Sequence, residues 1–324
     1  MRILIVGAGC VGQVYGWFLQ RGGADVDVYI RPKYVDEANQ GYRLYERRRK
    51  FRDDTRFVPE GALTSPEEVG RAEYDVILLC ISSTALRSGW LNDFAPHVGE
   101  ALVVSLTPGI DDRQYLAQFV DEGQLATGLI TQVSYPAPLE GEEVEEPGVA
   151  FWVPPLAPAL FQGPEEALRP LVKALNKGGM SAKISGDVAH QAGVGSAALI
   201  PMVAALETVG WSFEKLKRDK DRRRLLDDAV EEAVSLVEAR TGKRRPLPLS
   251  LLGPMTWRGI LIAAPIATPF DLETYLKVHF TKVGDQTRLM LEQFIEGLKN
   301  SDQSATALEQ LRREIGEHPE KSAS

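Results

Sequence analysis

The sequence predicts an α/β domain built on a mainly parallel sheet, followed by an all-helical domain. Three observations predict it. An apolar strand, Met1-Arg2-Ile3-Leu4-Ile5-Val6, runs straight into the glycine turn Gly7-Ala8-Gly9-Cys10-Val11-Gly12. Strand-like and helix-like segments then alternate to about residue 185, as βα units do. From about Gly186 the alternation stops and long helical patterns replace it. The expected domains are residues 1–185, residues 186–300 and a polar tail, 301–324, whose middle has a helical pattern.

In chain order, the first strand and turn are followed by a helix from Val11 to Leu19 and a second, alternating strand from Ala24 to Ile30. Gly41 to Tyr45 and Phe51 to Val58 read as a charged hairpin or meander at the sheet's edge. The unbroken apolar run Tyr74 to Ile81 has the character of a central parallel strand buried on both faces. Helix is expected over Thr84–Val98, strand over Ala101–Leu106, helix over Asp111–Val120 and strand over Ala126–Val133. After an acidic loop, Glu140 to Glu146, strand is expected over Gly148–Val153. Pro164 at a first turn opens a helix to Asn176, and Ser181–Ser185 forms the last strand. The helical part comprises Val188–Trp211, Leu225–Thr241, a Pro-rich break at Arg245–Pro248, and Phe270–Leu298.

Composition narrows the function classes. The 324 residues are 44% hydrophobic and 25% charged with a net charge of −8, which argues against a general nucleic-acid binder. Two basic clusters, Arg47-Arg48-Arg49-Lys50 and Lys215 to Arg224, are flanked or interrupted by acids and read as solvated faces. Cys10 and Cys80 imply no disulfide framework. No charged leader precedes an apolar stretch at the N-terminus, so the expected location is cytoplasmic. The longest uncharged segment, Gln191–Leu206, is shorter than the roughly 18 to 20 residues that span a bilayer, and a buried helix of small residues is expected there instead of a membrane anchor. No CxxC, HxxxH, G-x-x-x-x-G-K-[ST] or G-x-S-x-G pattern occurs, so zinc, P-loop and hydrolase-elbow chemistries have no support.

The glycine turn has the spacing of a dinucleotide grip. Gly7 allows the tight turn, Gly9 lets backbone approach a pyrophosphate, and Gly12 lets the helix pack close, with Cys10 and Val11 opening that helix at the phosphates. NAD-preferring folds of this type carry an acid at the end of the second strand. Here Arg31 stands there, with Lys33 two residues on. A guanidinium chelates a 2′-phosphate that a carboxylate would repel, so NADP(H) is the expected cofactor. The alternative is that Arg31 is a surface residue and that Asp27 contacts the ribose.

These residues resemble the ketopantoate (2-dehydropantoate) 2-reductase family. The likeness rests on the turn at Gly7, on Arg31, on the run ending Cys80-Ile81-Ser82-Ser83, on the strand ending Ser105-Leu106-Thr107-Pro108-Gly109, and on the change to helices near residue 186. It is strongest to about residue 135. The resemblance implies a Rossmann-type domain joined to a helical domain of the 6-phosphogluconate dehydrogenase C-terminal type, NADPH as cofactor and substrate between the domains. It also implies an Asn-Gly where Thr107-Pro108 stands, a lysine acting as general acid where Ala192 or Gly193 stands, a glutamate where Asp271 stands, and a cofactor-contacting lysine where Ser82 stands.

Hydride delivery to a ketone leaves negative charge on oxygen, which needs a proton donor or cation within about 3 Å. Ala192 and Gly193 supply neither, so another group must act. His190 is one candidate, with surface or backbone bonding as the alternative. His279, Lys282 and Gln286 share a face at helical spacing and either line a cleft or form a solvated face with Glu273 and Lys277 as an ion pair. Arg258, beside Trp257, is a candidate for a substrate carboxylate. The sequence thus predicts an NADP-dependent oxidoreductase reducing a small, anionic, 2-keto acid-like carbonyl compound. Thr107, Asp271, His190, His279 and Lys282 are its candidate catalytic residues, and Gly7, Gly9, Cys10, Val11, Gly12, Arg31, Lys33 and Ser82 its cofactor residues. No metal is expected, and the helical domain suits a homodimer. The competing expectation is a non-catalytic NADP-binding protein serving sensing or assembly.

Overall fold

Arg2–Val6 (β1) enters the turn, Cys10–Arg21 forms α1, and Asp25–Tyr29 (β2) pairs parallel to β1 from Arg2↔Asp25 to Val6↔Tyr29. The computed structural model describes residues 1–48, 51–245 and 254–316, with backbone alone at 51–54 and 254–255. Two compact units result, Met1–Ala189 and His190–Ser324, so the division falls inside the first turn of the helix Val188–Thr208.

The first unit is an α/β domain with two sheets. After α2 (Val35–Gln40) come β3 (Tyr42–Arg47), β4 (Phe51–Phe57), β5 (Ala62–Leu63), α3 (Pro66–Gly70) and β6 (Val76–Leu79). Then follow α4 (Ser83–Leu86), α5 (Leu91–Phe94), β7 (Leu102–Ser105), α6 (Asp112–Leu116), β8 (Leu125–Leu129), β9 (Val133–Ala137), β10 (Gly148–Trp152), β11 (Ala159–Gln162), α7 (Glu165–Gly178) and β12 (Ala182–Ile184). The main sheet has the order β12-β11-β8-β7-β6-β1-β2-β5. It is parallel except where β11 runs antiparallel to β8. Successive strands move one way from β1 to β2 and β5, then the other way through β6, β7 and β8. The reversal lies between β1 and β6, and in such sheets ligands bind outside the strands' carboxyl ends at that point.

Alternation sorts the central strands between two cores. Ile3, Ile5, Leu78 and Val104 join α1 and α7 on one face, while Leu4, Ile77, Leu79 and Val103 join the α4–α5 segment on the other. The expected hairpin is β3 and β4, but it is not an edge of this sheet: it forms a second sheet, β4-β3-β10-β9, that packs on α1. Phe151 of β10 meets Trp17 and Phe18 there. The expected strand over Ala126–Val133 is therefore two, β8 in one sheet and β9 in the other. The helix expected over Thr84–Val98 is broken: Gly89 turns at φ 93° and Pro96 follows in a 3₁₀ turn. The four-residue β11 follows a proline-rich stretch and carries too short an alternation to be read.

The second unit is all helical: α8 (Val188–Thr208), α9 (Phe213–Arg218), α10 (Lys220–Thr241), α11 (Pro254–Ala267), α12 (Leu272–Lys282), α13 (Gly284–Lys299) and α14 (Thr306–Ile315). At 21 residues α8 is longer than its uncharged centre and reaches the length and apolarity that would cross a membrane, yet more than half of it is buried in the fold. Gly193 lies so close to α10 that a Cβ there would sit 2.9 Å from Val237. The pattern over Phe270–Leu298 is two helices, because Val283 leaves helical geometry at φ −113° and ψ 29°. Of the basic run 215–224, Lys217 and Arg218 pair with Glu214, and Arg222 pairs with Glu314. Residues 49–50, 246–253 and 317–324 lie outside the described residues, and with them part of the Arg47–Lys50 cluster, the Pro-rich break after Arg245 and the end of the tail.

Candidate functional site

The turn between β1 and α1 lies at the strand-order reversal. Gly7 has φ 90°, and a Cβ on it would stand 2.6 Å from Ile81 Cγ2 and 3.0 Å from the Cys80 carbonyl. Its N–H donates to the Tyr29 carbonyl at 3.1 Å, tying the turn to the end of β2. A Cβ on Gly12 would lie 2.2 Å from the Gly7 carbonyl oxygen, so only glycine lets α1 approach this closely. Gly9 is different: it is exposed, and a Cβ there would meet nothing within 4 Å. Cys10 and Val11 begin α1, which has no side-chain cap and no acid in its first turn. Its positive end is therefore uncompensated and directed at the open space beside Gly9. Gln13, buried on α1, donates from Nε2 to the Ala8 carbonyl at 2.9 Å and fixes the turn from beneath. Sequence reasoning missed it, although a polar residue on the buried face of an apolar helix was the signal.

At the end of β2, Arg31 and Lys33 are exposed, with no ion-pair partner among the described residues. Both rest on the Tyr34 ring, 5.4 and 4.9 Å from its centre. Asp27 is engaged elsewhere. It is buried, accepts from Arg2 Nη2 at 2.9 Å and Nε at 3.1 Å, and accepts from the Tyr74 hydroxyl at 2.8 Å. Those bonds, all to Oδ2, hold the Asp27 carboxylate against Arg2 and Tyr74.

After β6 and β7 the chain ends are braced by one buried carboxylate. Asp112 accepts from Ser83 Oγ at 2.6 Å and from the Gly109 N–H at 2.8 Å, and pairs with Arg87. The Gly109 N–H also reaches Ser83 Oγ at 3.1 Å. This network sets the course of Thr107-Pro108-Gly109. Ser82 caps α4, accepting from the Ala85 N–H at 3.1 Å. Thr107 is buried, with its Oγ1 2.6 Å from Ser105 Oγ. Thr107, expected from the sequence as a catalytic candidate, is thus bonded within its own strand end. Burial pushes the Cys80 thiol up, which keeps it protonated and unreactive.

The candidate proton donors all belong to the helical unit. His190 is 5% exposed, and both ring nitrogens are engaged: Nε2–H donates to the Arg244 carbonyl at 3.1 Å, and Nδ1 pairs with Thr241 Oγ1 at 2.9 Å. Both contacts hold the imidazole against the end of α10 and the residues that follow it. Asp271 caps α12, accepting from the Thr274 N–H at 2.9 Å, and borders a groove of about 590 Å³ with Lys217, Leu261 and Pro265. Glu273 does not pair with Lys277; it accepts from the Phe213 N–H at 2.7 Å. The break at Val283 puts Gln286 on α13, so the expected stripe shrinks to His279 and Lys282. Arg258 is exposed on α11.

His279 is half-buried and stacks on Tyr275, with ring centres 5.5 Å apart. Burial, and then the nearby Lys282 charge, pulls its pKa from the ordinary value to about 4. A neutral imidazole is a poor general acid at pH 7, whereas the Lys282 side chain is exposed. The His279 ring resonances are expected to titrate with a midpoint below 5 by NMR; a midpoint near 6.5 would remove the burial argument. The linkage has a defined sign: an unfolded His279 takes its proton near pH 6.5. Between there and about pH 4 the unfolded chain binds more protons, and stability falls as pH falls. A His279→Leu protein is expected to lose that part of the acid sensitivity.

The chain is similar to known proteins. The family model for ketopantoate reductase PanE/ApbA matches residues 3–137. A 2-dehydropantoate 2-reductase of Pyrococcus horikoshii is 24% identical over 277 residues, covering 84% of this chain and 76% of that protein. A ketopantoate reductase of the PanE/ApbA family from Ralstonia eutropha superposes with a TM-score of 0.77 at 20% identity, covering 100% of both chains. A D-mandelate dehydrogenase, solved with NADH and anilino(oxo)acetate, superposes with a TM-score of 0.75 at 15% identity over 97% of each chain. These structures share the fold.

Proposed function

We propose, from the match of residues 3–137 to the ketopantoate reductase PanE/ApbA family model, that this protein is an NADPH-dependent oxidoreductase that reduces the carbonyl of a small 2-keto acid-like compound. One observation carries the cofactor choice. At the end of β2 two uncommitted cations, Arg31 and Lys33, stand where an acid would select NADH, and the nearby acid, Asp27, is held by Arg2 and Tyr74. The open, uncapped start of α1 at Gly9 and the close approach at Gly12 fit a pyrophosphate. In this reading the backbone of residues 9–12 holds the pyrophosphate, Arg31 and Lys33 hold the 2′-phosphate, and the Asp112 network keeps residues 107–109 in place beside the reacting end. When bound, NADPH supplies the hydride. The chain must supply a proton, and Lys282 is the sequence-predicted donor that is exposed and without an ion-pair partner among the described residues.

Calorimetric titration of wild type and Arg31→Ala tests the proposal. Wild type is expected to prefer NADPH to NADH. The substitution should weaken NADPH about tenfold to a hundredfold, the equivalent of losing a charge-assisted contact, and leave NADH unchanged. An unaltered preference would remove Arg31 from the site.

A second reading, a non-catalytic NADP-binding protein, is favoured by one specific set of observations. Ala192 or Gly193 stands at the position where the family resemblance puts lysine, His190 has both nitrogens engaged, and Thr107 is bonded to Ser105. Stopped-flow mixing of the NADPH complex with a panel of 2-keto acids separates the two. Loss of absorbance at the reduced nicotinamide band supports the enzyme, and tight NADPH binding with no oxidation supports the sensor.

A further inference from the structure

The polar groups at the carboxyl ends of β6, β7 and β8 are mostly engaged, and the segment that follows β8 holds two exceptions. Ser82 caps α4, Ser83 is bonded to Asp112, and Ser105 is bonded to Thr107. Thr131 Oγ1 donates to the Ala157 carbonyl at 2.9 Å. Gln132, three residues beyond the end of β8, is 7% exposed, and neither its Oε1 nor its Nε2 has a hydrogen-bond partner. Two residues on, the Ser134 hydroxyl is 5% exposed and equally unpartnered. A buried amide lacking both bonds is costly to the folded chain, and a ligand that supplies both partners removes that cost.

The ligand's chemistry follows from what is missing. Gln132 lacks a donor for Oε1 and an acceptor for Nε2 at once. A carboxylate satisfies only Nε2, and an ammonium only Oε1; a primary carboxamide satisfies both in one plane. The fold supplies the location. A dinucleotide lies across the crevice between β1 and β6. With the 2′-phosphate cations after β2, the opposite half extends over the ends of β6, β7 and β8, where Gln132 stands. We propose that Gln132, assisted by Ser134, binds the carboxamide of the nicotinamide ring by an amide-to-amide pair and so fixes which face of the ring is presented to substrate. This rests on the cofactor reading above and assigns Gln132 a positioning role.

Titration calorimetry with three ligands tests it: NADP⁺, its 3-acetylpyridine analogue, which keeps the carbonyl but has methyl in place of the amide nitrogen, and adenosine 2′,5′-bisphosphate, which has no nicotinamide. Wild type is expected to bind NADP⁺ about tenfold more tightly than the analogue, the effect of one lost hydrogen bond with a buried partner left unpaired. Gln132→Leu should weaken NADP⁺ about tenfold to a hundredfold and erase that preference. It should leave the bisphosphate unchanged and leave the Tm without nucleotide equal or higher, since an unpaired amide has been removed. Retention of NADP⁺ affinity or of the preference in Gln132→Leu would overturn the inference alone, as would a wild type that does not distinguish NADP⁺ from the analogue. A lowered Tm together with lost bisphosphate binding would assign Gln132 to the fold and overturn it as well. If wild type binds none of the three, the cofactor reading fails first and takes this inference with it.

Discussion

Gly9→Asp is expected to leave the protein folded and to abolish nucleotide binding, whereas Gly12→Ala should damage both. The contrast comes from the space around each residue. A side chain at position 9 enters open space, so the fold loses no contact, but a carboxylate then stands at the uncapped start of α1. It satisfies the helix N-terminus itself and repels the pyrophosphate. An affinity loss of at least about a hundredfold is expected, equivalent to roughly 3 kcal/mol or more, with an unfolding midpoint within about 0.5 kcal/mol of wild type, as for surface changes generally. At position 12, even a methyl group would overlap the Gly7 carbonyl at 2.2 Å, with Ile5 and Cys80 close behind. Helix α1 must then shift away from β1, at a cost of about 1–3 kcal/mol for overpacking. Urea unfolding and NADPH titration of the two proteins measure both effects. Equal NADPH affinity in Gly9→Asp and wild type would remove the glycine turn from the site.

Arg288→Met is expected to destabilise the helical unit by about 3–5 kcal/mol. Arg288 is buried on α13 and has four acceptors: Glu207 on α8 at 2.7 Å, the Gly284 carbonyl at 3.0 Å, the Ile315 carbonyl at 2.7 Å and the Gly316 carbonyl at 2.9 Å. It neutralises Glu207 and satisfies the end of α14, where helix carbonyls otherwise lack donors. Methionine fills much of the volume but leaves the Glu207 carboxylate and the Ile315 carbonyl unpaired, while the Gly316 carbonyl keeps Arg312 Nη1 at 2.9 Å. Adding Glu207→Gln to Arg288→Met should recover part of the loss, because the stranded charge is then gone. A double-mutant cycle in urea isolates the coupling; a loss below about 1 kcal/mol for Arg288→Met would show that water replaces the guanidinium without difficulty.

The glycine turn, the buried run through β6 and the change from βα units to helices were legible because each is written in neighbouring residues. The site around them was legible only in part. Gln13 and Asp112 carry structural weight at the turn and at residues 107–109; Gln13 left a signal as a polar residue on the apolar face of α1, whereas an isolated aspartate such as Asp112 has no local signature. The His279, Lys282 and Gln286 stripe failed for a related reason. Periodicity ran unbroken through Val283, while packing of α12 and α13 as separate helices did not.

What the sequence determined alone is the β1-turn-α1 grip and the cationic end of β2. Glycine spacing acts through steric contacts a few residues apart, and the sign of charge at residues 31 and 33 is fixed by composition. What only the tertiary structure decided is which polar side chains remain available. Asp27 is taken by Tyr74, 47 residues away, and His190 by Thr241, 51 residues away. Gln132 is left without a partner. A hydrogen bond forms between groups that the fold brings within 3 Å, and for side chains that distance bears no relation to their separation along the chain.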